Sequence, residues 1–191
     1  AKNRTSATFP GLPHFIQEKL KKLKTDVVTS ILNQPSLVST ASKCVFTSGG
    51  LTEDLREMAE YYFNQGGKLL RPTVSLLVAN ACNQMDGDCS QNKDSSSQEV
   101  SLNQYKIAVI SEMIHTASLV HDDVIDESAV RRGNPTVNAL WGNKMAVLAG
   151  DFILARATQL LCSIGSPSVI SVMALIIEDL VKGELLQMSS D

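Results

Sequence analysis

The sequence lacks the features that mark several large classes of protein. Aromatic residues make up only 5% of the 191 residues, which argues against base-stacking surfaces for nucleic acid. A net charge of −3 gives no reason to expect a nucleic-acid partner either. None of the four cysteines belongs to a CxxC pair or lies near a histidine at zinc-finger spacing. We therefore predict reduced thiols of an intracellular compartment, with a Cys82–Cys89 disulfide as the less favoured alternative.

Long apolar runs and a secretory signal are also missing from the sequence. The longest apolar run, 169–181, is interrupted by Ser171, Glu178 and Asp179, so we expect no membrane span. Residues 1–8 are basic and free of acids, like the end of a mitochondrial transit peptide. A frayed terminus is the alternative explanation for the same eight residues.

What is present is a helical pattern. Hydrophobic residues make up 43% and charged residues 19% of the chain, which suits one well-cored domain. The apolar residues recur at helical spacing, and no Asn-Gly or Asp-Gly hairpin signal occurs. The pattern predicts an all-α fold, an antiparallel helix bundle around a central cavity. The predicted helices cover residues 12–32, 52–64, 72–82, 102–124, 136–163 (with an interruption near Trp141-Gly142) and 167–189.

Polar stretches at 33–50 and 83–101 separate these helices. We divide the chain into an N-terminal helix with its connector, 1–51, and a helical domain, 52–191. The segment 72–82 is apolar nearly all round, so we expect it to be buried. The first helix has a basic face, which is expected to be solvated, with membrane-surface contact as the alternative. Its lysines are Lys19, Lys21, Lys22 and Lys24.

Three aspartates near the end of the predicted helix 102–124 are the most informative feature. Asp122 and Asp126 lie four residues apart and would share one helical face, with Asp123 about 100° around the axis. Burying carboxylates is costly unless a cation neutralises them, and oxygen ligands of this kind suit Mg²⁺. An isolated acidic helix end is more often a solvated cap, but the apolar flanks here favour a ligand-binding face.

Basic residues suited to anions lie before and within this helix. Lys68 and Arg71 follow two glycines at a predicted helix start, where free backbone N–H groups favour phosphate; two exposed cations are the alternative. His115 is either a buried core histidine or a donor to a phosphate oxygen. His121 is expected to face a neighbouring helix.

Two further clusters lie downstream. Arg131 and Arg132 follow Asp126 closely, and they either form salt bridges with the aspartates or bind a diphosphate. The last cluster does not form a regular metal-binding face, and we interpret it as helix surface unless other residues point to it. It comprises Glu178, Asp179, Gly183, Glu184 and Gln187.

Together the first three clusters describe one site, with acids for Mg²⁺ and cations for two anionic groups. No Ser-His-Asp, Cys-His or zinc arrangement competes with it. Such a site suits chemistry in which a diphosphate is itself the leaving group, because metal-assisted ionisation replaces a protein nucleophile.

Five motifs in order resemble those of a known family, the trans-isoprenyl diphosphate synthases, and in particular its long-chain polyprenyl members. The motifs are GGKLLRP, HTASLVHDDVID, RRGNPTVN, AVLAGDFIL and EDLVKGELLQ, spread over roughly residues 52–191. The resemblance implies an isoprenoid-synthase bundle and a prenyltransferase activity. In that activity, isopentenyl diphosphate adds repeatedly to an allylic diphosphate such as farnesyl diphosphate, which makes the long side chain of ubiquinone.

The same resemblance implies roles for individual residues. Asp122 and Asp126 are the metal ligands that hold Mg²⁺ on the allylic diphosphate, with Asp123 in support. Arg131 contacts the same diphosphate, and these four residues form the catalytic set. The residues implied in substrate binding, chiefly of isopentenyl diphosphate, are Lys68, Arg71, His115, Arg131 and Arg132.

Product length is the next implication of the resemblance. The growing product runs beside the helix that carries the aspartates, and Ala117, followed by Ser118, stands where short-chain members place a bulky aromatic. We expect Ala117 to leave room for a long product and Ala117→Phe to shorten it.

The sequence departs from the family in one respect: no second Asp-rich motif follows Glu184. We therefore expect the N-terminal portion of a synthase, incomplete on its C-terminal side and lacking part of the site. A regulatory subunit of a heteromeric synthase, a terpene cyclase and a structural helical bundle are the alternatives, in that order. The family further implies a homodimer or a heteromer with a second synthase subunit, proximity to a membrane, and a mitochondrial matrix location.

Overall fold

In a computed structural model, the chain is described over residues 11–32, 49–64, 67–88 and 100–189. Within those ranges it forms seven helices and one two-stranded ladder. In chain order these are α1 (His14–Leu32), α2 (Gly49–Asn64), α3 (Leu70–Asp88), α4 (Leu102–Ile125), β1 (Val130–Arg131), β2 (Asn134–Pro135), α5 (Val137–Trp141), α6 (Asn143–Cys162) and α7 (Pro167–Met188).

Local sequence signals fix the start of α4. The Ser101 hydroxyl accepts the N–H of Gln104 at 3.2 Å, and the Gln104 side chain accepts the N–H of Ser101 at 2.8 Å. This capping box satisfies two backbone donors that the first turn would otherwise leave unpaired. The Gln104 amide also exchanges two hydrogen bonds with Asn83 of α3. The start of α4 is therefore tied to the neighbouring helix.

The predicted interruption between α5 and α6 is confirmed. Thr136 caps α5, since its hydroxyl accepts the N–H of Ala139. Gly142 ends α5 with a φ of 84°, a backbone conformation that residues with a side chain seldom adopt. The chain turns there and restarts as α6.

The core forms around α4 and α6, with α1 packed across them. Buried positions of α6 are mostly small residues, among them Ala146, Ala149 and Gly150, which let the α4 backbone come close. Arg156 of α6 is also buried, and its Nε donates to the carbonyl of Ile31 at 2.6 Å. That bond satisfies a carbonyl in the last turn of α1, where a cation is favourable.

Two helices, α3 and α7, expose apolar side chains. The prediction that 72–82 would be buried is wrong for one face of α3, where the side chains of Val74 and Val78 are 50% and 56% exposed. In α7, Met173 is the buried residue, whereas Leu175 and Leu185 are more than half exposed. An apolar sequence shows that a helix can be buried, but the neighbouring elements decide whether it is.

Several predicted boundaries and absences also need correction. α3 continues six residues past 82, so the polar connector begins later than expected; most of it, like residues 1–10 and 33–48, lies outside the described residues. The short ladder replaces the predicted irregular stretch. α6 is long and apolar enough to cross a membrane, contrary to the expectation of no such segment, although it is a core helix in this fold.

Two of the four cysteines lie within the described residues. Cys82 and Cys162 are free and exposed. Cys44 and Cys89 lie outside the described ranges.

Candidate diphosphate and metal site

The three aspartates at the end of α4 differ in their exposure to solvent. Asp126 is the exposed residue that caps the helix, and Asp122 lies one turn earlier and half-buried. Burial raises the pKa of Asp122, and the nearby carboxylate of Glu184 on α7 raises it further, while Arg131 partly opposes the shift. Glu184 therefore lies near the aspartates. Our interpretation of this residue as helix surface missed that proximity, because nothing in the sequence shows how α7 approaches α4.

Asp123 lies on the inner side of the helix and is 1% exposed. Its Oδ1 accepts Nε of Arg131 at 2.7 Å, and the hydroxyl of Tyr62 lies 3.5 Å from Oδ2. Burial, followed by the charge of Asp123, raises the pKa of Tyr62 above its usual range. Burial is the largest single influence on Arg131 and lowers its pKa, but the bond to Asp123 and the neighbouring negative charges together outweigh burial and raise the arginine pKa. The salt-bridge alternative for Arg131 is thus what the structure shows, and Asp123 is the partner.

A tight turn places the second arginine. Arg132 and Gly133 connect β1 to β2 with φ values of 55° and 82°, the positive pair that two-residue hairpin turns of the primed type require. Asn138 of α5 holds the region together, donating to the carbonyls of Asp123 and Ser128 at 3.2 and 3.1 Å. These two bonds tie α5 to the end of α4 and to the segment that leads into the ladder.

Arg132 reaches back to the glycine motif before α3. A Cβ on Gly67 would lie 3.0 Å from Nη1 of Arg132, closer than nearly all real contacts of that kind. A side chain at position 67 would therefore force the guanidinium to move. Two sequence motifs that lie 65 residues apart thus meet at one place.

His115 lies within this cationic region. Burial lowers its pKa to about 4, and the positive charges of Arg71, Arg132 and Arg131 act in the same direction. The imidazole is therefore neutral near pH 7 and can donate one N–H to an anion. One turn earlier on α4, Glu112 has a pKa raised by burial and partly lowered by Arg71 and Arg132.

Lys68 and Arg71 lie at the edge of this region. Both side chains are exposed, and in the described part of the chain no hydrogen bond or ion pair holds that of Lys68. Arg132 is exposed as well, and exposed cations gathered at one place attract an anion from solvent.

Strained backbone is concentrated around the same residues. In the described ranges, three non-glycine residues have positive φ: Leu69 at 49°, Glu127 at 51° and Arg132 at 55°. Leu69 follows Lys68, and Glu127 follows Asp126. Such conformations cost of order 1–3 kcal/mol each and tend to persist at functional sites.

The two residues expected to control product length lie on different faces of α4. Ala117 is fully buried in the core cluster. Ser118 is half-buried, and its position four residues before Asp122 puts it on the face of that aspartate. The expectation of open space at Ala117 stays a prediction, and Ser118 is the residue nearer the site.

The donor set at the end of α4 fits a hard divalent cation that is shared with a substrate. Asp122 and Asp126 provide two carboxylates on one face, and burial and neighbouring acids make negative charge at Asp122 unfavourable. Among the described residues, no group of three or more His, Cys, Asp or Glu side chains is arranged to hold a metal alone. Mg²⁺ commonly binds through one or two carboxylates, with phosphate and water oxygens as its other ligands. Asp123 is already bonded to Arg131 and is not part of that pair.

The helical fold and this site define an isoprenoid-synthase class of protein. The structure superposes on a decaprenyl diphosphate synthase from Rhodobacter capsulatus with a TM-score of 0.69 and 28% identity, covering 92% of this chain and 44% of that one. Residues 52–191 match the polyprenyl synthetase family, and the chain belongs to that family.

Two curated relatives show the range of similarity. The human all trans-polyprenyl-diphosphate synthase PDSS1 is 52% identical over 139 residues, which cover 73% of this chain and 32% of that protein. Decaprenyl-diphosphate synthase subunit 1 of Schizosaccharomyces pombe is 36% identical over 198 aligned positions, covering 98% of this chain and 48% of that protein. The chain thus spans between about a third and a half of these relatives, and it carries the corresponding part of the fold.

Proposed function

We propose that this chain supplies the first part of an all-trans polyprenyl diphosphate synthase site, at which isopentenyl diphosphate condenses with an allylic diphosphate. The observation that carries the proposal is the meeting of three sequence motifs along the second half of α4. Arg131 acts on both Asp122 and His115, Arg71 and Arg132 also act on His115, and Gly67 lies against Arg132.

Asp122 and Asp126 would hold Mg²⁺ against the allylic diphosphate. The ion, when bound, would neutralise the diphosphate and so favour its departure as a leaving group. Arg131 lies next to the acidic pair and, while bonded to Asp123, would present its remaining N–H groups to the same diphosphate.

Lys68, Arg71, Arg132 and His115 would bind the diphosphate of isopentenyl diphosphate. A neutral His115 donates a hydrogen bond without adding a fourth positive charge to the arginines already present. The reaction then breaks the allylic C–O bond and forms a C–C bond to the alkene of isopentenyl diphosphate. Loss of a proton restores a double bond, so no protein nucleophile is needed.

A second candidate is a regulatory subunit of a heteromeric synthase that makes the ubiquinone side chain. One observation favours it: one relative bears the name of a subunit. A mitochondrial location, farnesyl diphosphate as the primer, a homodimer and proximity to a membrane remain expectations from the family.

A binding and turnover experiment separates the two candidates. The chain, alone and with a candidate second subunit, is incubated with labelled isopentenyl diphosphate, farnesyl diphosphate and Mg²⁺, and Mg²⁺-dependent binding of farnesyl diphosphate is measured by calorimetry. We expect the chain alone to bind farnesyl diphosphate in the presence of Mg²⁺, and we expect Asp126→Asn to abolish this binding. Asp179→Asn, a matched change of an exposed acid on α7, should leave binding intact. If the wild-type chain shows no Mg²⁺-dependent binding but still stimulates its partner, the regulatory alternative is correct.

A further inference from the structure

Asp122 lies between two neighbours that are both bonded to other parts of the protein. On one side, Asp123 is bonded to Arg131. On the other side, Nε2 of His121 lies 3.3 Å from the carbonyl of Val147 and 3.4 Å from Oδ1 of Asp151, both on α6. The expectation that His121 faces a neighbouring helix is confirmed, and that helix is α6.

His121 fits against α6 because position 150 has no side chain. A Cβ on Gly150 would lie 2.6 Å from Cδ2 of His121 and closer still to Nε2, distances that real Cβ atoms do not show. Gly150 is buried within a helix, where glycine costs roughly 1 kcal/mol relative to alanine. The space that it leaves is filled by the imidazole of His121.

The two neighbours of Asp122 differ in what they fix. Asp123 is bonded chiefly to Arg131 of the ladder that follows α4, with the Tyr62 hydroxyl of α2 at the longer distance of 3.5 Å and Asn138 of α5 donating to its carbonyl. His121 adds a bond from the last turns of α4 to α6, the helix that α4 packs against in the core. Apolar packing around Val120 restrains the same part of α4, and the bond of His121 adds a directional contact to it.

We propose that His121, lying over Gly150 and donating from Nε2 to α6, is a positioning residue that fixes the rotation of the last turn of α4, and so the direction of Asp122 and Asp126. This inference rests on the proposed function. Side-chain tips lie about 5–6 Å from a helix axis. A rotation of about 10° would therefore displace both carboxylates by about 1 Å, an error large enough to matter at a site that must be held within about 0.5 Å.

The experiment uses the whole chain and follows Mn²⁺ as a paramagnetic probe, bound in the presence of inorganic diphosphate and measured by electron paramagnetic resonance. His121→Leu keeps the bulk and removes the donor, whereas His121→Gln keeps a donor near the position of Nε2. Gly150→Ala tests the space beneath the ring. Gly183→Ala is the matched control, since a Cβ there meets nothing within 4 Å.

We expect His121→Leu and Gly150→Ala to weaken Mn²⁺ binding by about tenfold or more, in the range seen when partners of metal ligands are removed. His121→Gln should stay within about threefold of wild type on the same scale, and Gly183→Ala should equal it. The unfolding midpoint of each variant, measured without metal, shows whether a loss of binding reflects unfolding.

Three outcomes would overturn part or all of the inference. Wild-type binding by folded His121→Leu would show that the imidazole does not position the aspartates. Loss of binding in His121→Gln with a wild-type midpoint would show that the bond to α6 is not what matters. If the wild-type chain binds no Mn²⁺ with diphosphate, the proposed function fails and the inference with it, an outcome distinct from the first two.

Discussion

Two helices of this protein carry clusters of acids, and the structure treats them differently. In α7, Glu178 and Asp179 are exposed and lie 2.7 and 3.3 Å from the ammonium of Lys182, within one turn of their own helix. At the end of α4, Asp123 is buried against Arg131, and the pKa of Asp122 is raised by burial. Exposed pairs within a helix contribute only a few tenths of a kcal/mol, whereas a buried carboxylate must be paired or compensated.

The comparison shows that acid composition does not identify a site, but the surroundings of the acids do. The α7 acids Glu178 and Asp179 both form ion pairs with Lys182, whose side chain is exposed to solvent. Of the α4 acids, Asp123 is paired with Arg131, whereas Asp122 and Asp126 lie on a different face of the helix. Glu184, although it belongs to α7, raises the pKa of Asp122 and so groups electrostatically with the α4 acids.

The largest expected difference between the two clusters is in stability. Asp123→Asn removes the charge opposite Arg131 and should lower the free energy of unfolding by about 2–3 kcal/mol, because it leaves a partly buried guanidinium unpaired. Asp179→Asn should change it by less than about 0.5 kcal/mol. Urea unfolding followed by circular dichroism measures both. Equal effects of the two changes would mean that the Asp123–Arg131 bond contributes no more than a surface pair.

A second prediction concerns pH. The pKa of His115 is about 4 in the folded chain and about 6.5 when unfolded, so the unfolded state takes up the proton first. Stability from this residue is therefore complete above pH 6.5 and is lost as the pH falls toward 4. Relative to His115→Gln, the wild type should lose about 1–2 kcal/mol between pH 7 and 4, allowing for partial exposure.

Urea unfolding of both proteins across that range measures the pH effect. The raised pKa values of Glu112 and Asp122 give stability changes of the opposite sign, which largely cancel in the difference between the two proteins. A His115 ring that titrates near 6.5 by nuclear magnetic resonance would contradict the prediction.

Much of α4 and its surroundings followed from sequence because the signals are local. The predicted helix 102–124 agrees with Leu102–Ile125, since a capping box starts it and a continuous apolar pattern carries it. The break near Gly142 is equally local. The resemblance to a synthase family also rested on residues within short motifs, and the match over 52–191 confirms it.

What the sequence did not show depends on contacts between distant segments. The turn at Arg132 and Gly133 was missed because the usual Asn-Gly signal is absent. The sequence did not show which aspartate pairs with Arg131, because all three aspartates lie at a suitable distance along the chain. The approach of Glu184 and the fit of His121 over Gly150 require the packing of separate helices, which the order of residues does not fix.

A third prediction separates binding from stability at one residue. Asp122→Asn removes a carboxylate that burial and neighbouring acids disfavour, so the free energy of unfolding should stay within about 0.5 kcal/mol of wild type or rise slightly. The same change should abolish Mg²⁺-dependent binding of farnesyl diphosphate. Unfolding and calorimetry on one sample measure both. A clear loss of stability would mean that Asp122 makes a structural contact, as Asp123 does.

The smallest expected effect tests whether Glu184 belongs to the α4 cluster. In the metal-free chain, Glu184→Gln removes a negative charge near Asp122, so the pKa of that carboxyl should fall toward its ordinary value. Burial should still hold it somewhat raised, because burial is the larger cause. Glu178→Gln makes the same chemical change on the same helix. Because Glu178 is paired with Lys182, this change should leave the pKa of Asp122 unaffected. Carbon-13 chemical shifts of the aspartate carboxyl across a pH titration distinguish the two. An unchanged titration in Glu184→Gln would place Glu184 with the solvated acids of α7 and leave the α4 pair without a carboxylate neighbour from that helix.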